Sequence, residues 1–75
     1  MQADIIVDTK GMACPMPIVR AKKALDTMTP GQVMEVLSTD KGSVNDLQAW
    51  VKQIKQELIQ HEVEDGVYKF YVRKL

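Results

Sequence analysis

Ile5-Ile-Val-Asp-Thr-Lys-Gly-Met-Ala-Cys-Pro-Met-Pro-Ile18 passes from strand to helix through one glycine turn and one cysteine. Ile5, Ile6 and Val7 form an apolar β-branched run, read as a short strand over 3–8, which Asp8 and Gly11 interrupt. Proline is tolerated in a first helical turn because its missing N–H would have no intrahelical partner there. Cys14-Pro15-x-Pro17 therefore predicts a helix over 15–28. Cys14 then falls at or just before the N-cap, where Ser, Thr, Asp or Asn normally bond the first amides and sulfur does so poorly. Helix stability alone does not account for a thiol in that place.

A free cysteine, with a pKa of about 8.5, is only a few per cent thiolate near neutrality. The positive end of a helix and a nearby cation, for which Lys10 is the candidate, both favour the anion. Pro15 and Pro17 remove two donors, so any amide help from that turn falls to Met16 and Ile18 and the expected activation is moderate. Pro15 also biases Cys14 toward an extended backbone, which aims its side chain toward solvent.

Outward from this stretch, Thr29-Pro30-Gly31 stops the first helix. Ile18, Ala21, Leu25 and Met28 make its buried stripe, while Met16, Val19, Arg20 and Lys23 fall on the opposite side, adjoining Cys14. Gln32–Thr39 is the second strand, and a β-α-β connection predicts that it runs parallel to the first. Asp40-Lys-Gly-Ser43 forms a loop, Ser43 and Asp46 resemble a capping pair, and a second helix is expected over 44–55. Val44, Leu47, Val51 and Ile54, with Leu58 next in the series, line its apolar face, and Trp50 flanks it as a core anchor. Strands over 57–64 and 67–74 close the chain. A two-residue Asp65-Gly66 turn pairs Val63 with Tyr68, His61 with Phe70 and Ile59 with Val72, and sets Glu62 against Lys69. His61 on that strand reads as a partly buried structural histidine and not as a partner of Cys14.

At 75 residues the chain has room for one domain that buries only about 60% of its unfolded surface. Ten basic and ten acidic residues leave no net field to attract nucleic acid or an acidic membrane. One cysteine excludes an internal disulfide and a Cys-x-x-Cys redox pair, and falls far short of a zinc site, so no metal or cofactor is expected. There is no Gly-x-Gly-x-x-Gly or Walker sequence, no signal-peptide start, and no apolar run near the ~18 residues of a membrane span. The expected location is the reducing cytoplasm.

Asp8-x-x-Gly11-Met12-x-Cys14-Pro15-x-Pro17 after a short strand, with Asp40-x-Gly42-Ser43 and the Glu64-Asp65-Gly66 hairpin, resembles the TusA/SirA-like family of small sulfur carriers. The resemblance covers essentially all of 1–75 as a single domain. It implies an α+β two-layer βαβαββ sandwich, a four-stranded mixed sheet with two helices packed on one face and the last strand antiparallel to the rest. It also implies that Cys14 carries sulfane sulfur as a persulfide, that Pro15 and Pro17 shape the helix start, and that Asp8, Lys10 and Gly11 form the loop beside it. Lys10 stands where many members have arginine, and Lys55 where many have the glycine that ends the second helix.

No general base, oxyanion hole or substrate pocket is legible, which predicts a carrier dependent on partner enzymes and not a self-sufficient catalyst. The expected partners are a sulfur donor of cysteine desulfurase or rhodanese type and a protein acceptor, with the chain itself a monomer or weak dimer. The Met16, Val19, Arg20 and Lys23 face is either an ordinary solvated surface or the docking patch for such partners. The competing reading is an interaction or regulatory module that docks through this face without sulfur transfer. RNA contact through the same basic residues ranks last, given the balanced charge.

Overall fold

The computed structural model describes residues 3–13 and 15–75. Its elements are β1 (Ile5–Thr9), α1 (Met16–Asp26), β2 (Val33–Ser38), α2 (Ser43–Gln53), β3 (Glu57–Glu64) and β4 (Val67–Arg73). The strands make one four-stranded mixed sheet in the order β1-β2-β4-β3. β1 runs parallel to β2, with Ile5 opposite Met34 and Thr9 opposite Ser38, while β4 is antiparallel to both of its neighbours. The expected α+β sandwich is therefore the observed one.

Strand alternation sorts the residues into two faces. Val7, Met34, Val36, Phe70 and Val72 meet Ala21 and Leu25 of α1 and Leu47 and Val51 of α2 in one buried core, with Met28 beside them. Ile18 and Trp50 pack against that core half-buried, in the positions their helical spacing predicted. The C-terminus ties the layers together. The Lys74 ammonium donates to the Leu25 carbonyl at 2.9 Å, placing a cation at the negative end of α1. The Lys74 carbonyl accepts the Gly31 N–H at 2.7 Å, and its own N–H donates to Gln32 at 2.9 Å.

The hairpin follows the expected register through Val63↔Tyr68, Glu62↔Lys69 and His61↔Phe70, with Asp65 (φ 53°) and Gly66 (φ 78°) both left-handed as a type I′ turn requires. Beyond it the expectation fails. A bulge between Leu58 and Gln60 sets Ile59 out of the ladder, so Leu58 and not Ile59 lies opposite Val72. Leu58 belongs to β3, not to the helical series, yet still packs on the core. Lys69 faces Glu62, but its ammonium forms its ion pair with the diagonal Glu64, at 3.8 Å.

The start of α2 also differs. Gly42 is the N-cap and Ser43, fully buried, is already helical. Its hydroxyl donates to Asp40 Oδ2 at 3.2 Å, and Asp40 Oδ1 accepts the Gly42 N–H at 3.2 Å. The carboxylate that organises this turn therefore precedes the helix, as Asx turns do. No helix among the described residues is long and apolar enough to cross a membrane.

Candidate functional site

β1 delivers the chain to a turn whose successive amides are each engaged. Lys10 N–H donates to Asp8 Oδ1 at 3.0 Å, Gly11 N–H to Thr39 Oγ1 at 2.9 Å, and Met12 N–H to the Thr9 carbonyl at 3.1 Å. Gly11 adopts φ 81°, the value a type II turn needs at its third residue and one that an L side chain resists. Below the turn the buried Thr9 hydroxyl donates to the Leu37 carbonyl and ties the ends of β1 and β2 together. Lys10, the expected cation, stands with its ammonium 3.9 Å from Asp8 Oδ2, both side chains about half exposed. A carboxylate thus shares the charge that the thiol was expected to use. Cys14 itself, with the expectations about its backbone and side chain, lies outside the described residues.

α1 starts at Met16, one residue later than expected, with Pro15 at the N-cap position and Pro17 buried within the first turn. Met16 N–H, expected to be available to a thiolate, instead donates to the Ala13 carbonyl at 3.0 Å. Two prolines lack an N–H and this amide is engaged, so of the two donors expected for an anion, Met16 is already committed. Met16 (39% exposed) and Val19 (40%) stand in solvent with Arg20 and Lys23, so the four residues read as one outward surface share it in fact.

The model of the family described as "Sulfurtransferase TusA" matches residues 5–74, from the first residue of β1 to just past β4. This chain belongs to the TusA family. The Bacillus subtilis protein YrkI is 47% identical over 74 residues, covering 99% of both chains. The sulfur carrier protein TusA of Allochromatium vinosum is 46% identical over 68 residues, covering 91% of this chain and 90% of its own. The crystal structure of a SirA-like protein from Desulfitobacterium hafniense superposes with a TM-score of 0.82 at 31% identity, over 92% of this chain and 95% of that one. TusA membership accounts for the fold, which the SirA-like structure shares.

One further residue falls differently from expectation. His61 is exposed, stacked on Phe70 with ring centroids 5.9 Å apart, and its Nε2 lies 3.3 Å from Gln48 Nε2. It lines a shallow cleft of about 320 Å³ with Val44, Glu62, Val63, Tyr68 and Phe70, none of which belongs to the 8–17 segment. Thr39, by contrast, touches the loop directly, and the sequence reading did not single it out. The available signal was topological: parallel neighbouring strands end side by side, so the residue after β2 meets the turn after β1.

Proposed function

We propose that this TusA-family protein is a cytoplasmic carrier of sulfane sulfur, held as a persulfide on Cys14 of its one domain. The family match through the whole thiol-bearing segment carries the proposal. The Cys14 thiolate attacks the terminal sulfur of a donor persulfide, forming a new S–S bond, and the donor's own S–S bond breaks as its thiolate leaves. Discharge repeats the exchange, with an acceptor thiolate attacking the sulfane sulfur and Cys14 departing. Donors of cysteine desulfurase or rhodanese type and a protein acceptor fit this chemistry, since a chain with a single cysteine has no resolving thiol.

Asp8, Lys10, Gly11, Pro15 and Pro17 shape the loop in this scheme. Met16, Val19, Arg20 and Lys23 supply the surface on which partners dock, and their exposure supports that role. Intact mass after incubation with a rhodanese-type donor is expected to rise by one sulfur in the wild type and to stay unchanged in Cys14→Ser; loading that persists in the serine variant rejects the proposal.

The exposed α1 face equally suits a module that docks without carrying sulfur. Under that reading Cys14→Ser keeps partner binding and biological activity, while charge reversal at Arg20 and Lys23 removes both.

A further inference from the structure

Each amide of Lys10, Gly11 and Met12 has a partner, but only one of those partners comes from another part of the chain. Asp8 and Thr9 belong to the strand that enters the turn; Thr39, whose Oγ1 accepts the Gly11 N–H at 2.9 Å, stands at the end of β2. That bond has a particular geometric effect. In a turn with Gly11 at φ 81°, the central peptide between Lys10 and Gly11 can rotate by about half a turn to convert one turn type into another, while the flanking residues barely move. The closing bond from Met12 to Thr9 is common to both forms and does not choose between them. A fixed acceptor for the Gly11 N–H does choose.

Thr39 is itself held in place. Ser38 before it is buried and its hydroxyl accepts the Asp40 N–H at 3.2 Å, while Asp40 engages Gly42 and Ser43 at the start of α2. The acceptor therefore sits on a segment anchored at both ends, across from the turn that leads into Cys14-Pro15.

We infer that Thr39 is a positioning residue for the thiol loop, acting through the Gly11 amide to hold the Lys10–Gly11 peptide in one orientation. The inference rests on the proposed reading of Cys14 as the reacting group. With the hydroxyl gone, the peptide samples both orientations, the Lys10 carbonyl and Gly11 N–H dipoles reverse for part of the time, and the loop that leads into Cys14-Pro15 loses one fixed arrangement of its dipoles.

Cys14 is the sole cysteine, so alkylation of the full-length chain by iodoacetamide reports on it alone. The second-order rate would be measured from about pH 5 to pH 10, spanning the ordinary thiol range. Thr39→Val, which keeps the shape and removes the hydroxyl, is expected to displace the midpoint of the profile from its wild-type position. It is also expected to slow alkylation at neutral pH roughly fivefold, the factor that one net hydrogen bond carries. Thr39→Ser restores both values. Identical profiles for wild type and Thr39→Val overturn the inference, as does an equal displacement in Thr39→Val and Thr39→Ser, which would assign the effect to the methyl group. Persulfide loading of the wild type, followed by mass, is read separately: its failure removes the carrier function, while the alkylation profiles still decide the role of Thr39.

Discussion

At Lys55 the backbone is left-handed, φ 59°, and the bonds around it explain why. Gln56 N–H reaches the Val51 carbonyl and Lys55 N–H that of Lys52, both at 3.1 Å, which is the Schellman pattern that normally closes on glycine. A side chain there costs about 1–2 kcal/mol of conformational energy, partly offset by the greater freedom that glycine has in the unfolded chain. Lys55→Gly is therefore expected to stabilise the fold by about 0.5–1 kcal/mol, seen as a higher urea midpoint at unchanged slope. The missing glycine left the end of α2 hard to read, yet the helix stops there because the carbonyls of its last turn need these partners. Tyr71, 5% exposed, is buried on the sheet face that carries no helix. Burial first, then the Glu35 carboxylate that accepts its hydrogen bond, with smaller contributions from Glu62 and Glu64, raise its phenol above the ordinary value near 10. The folded state holds this proton more tightly than the unfolded chain does. Its contribution to stability is therefore complete below about pH 10 and declines as the pH rises from there through the folded-state value. Melting temperatures taken between about pH 8 and 11 should fall on the alkaline side and fall less steeply in Tyr71→Phe; parallel alkaline limbs would place the titrating group elsewhere.

At the scale of elements, α1 carries two unlike faces. Pro17, Ala21 and Leu25 seal one against the sheet, and the other holds Met16, Val19, Arg20 and Lys23 in solvent beside the thiol loop. Exposed charges that touch nothing buried contribute within about 0.5 kcal/mol, whereas charges at a docking face govern association and its salt dependence. Arg20→Glu with Lys23→Glu is expected to leave the melting temperature nearly unchanged and to slow sulfur loading from a donor, with the difference shrinking at high salt. Equal loading rates at low salt would remove this face from the docking scheme. The hairpin shows where local rules stop. Turn chemistry carries the register from Asp65-Gly66 back to His61, and then the bulge at Ile59 resets it so that Leu58 can reach the core. On the edge strand β3 that bulge, with Glu57, Glu62 and Glu64, also discourages further strand pairing.

For the whole molecule, a small core must hold two layers. Phe70, on the central strand β4 and 1% exposed, is the largest of the fully buried side chains. Phe70→Ala is expected to cost about 3–5 kcal/mol. A domain this small has a total stability on the order of 4–11 kcal/mol. The variant should melt far below the wild type by circular dichroism, and a loss below about 1 kcal/mol would mean that the two layers do not share this core. The other sheet face is uneven, with Ile6 64% exposed at the β1 edge and Tyr71 sealed at the centre.

Element order, the parallel β1–β2 pair, the buried stripes of both helices and the hairpin register near its turn were legible from the chain alone, because each depends on spacing or turn chemistry within a few residues. The placement of β4 between β2 and β3, the burial of Tyr71, the bulge at Ile59, the exposure of His61, the engagement of Met16 N–H by Ala13 and the contact of Thr39 with Gly11 came only from the folded form. Most of these depend on residues distant in the chain competing for the same space and the same hydrogen-bonding groups; the exceptions are a local carbonyl that claims the Met16 amide and a ladder that gives up one residue to keep its core contact. Periodicity cannot settle that competition, because it records which side a residue faces and not what it meets there.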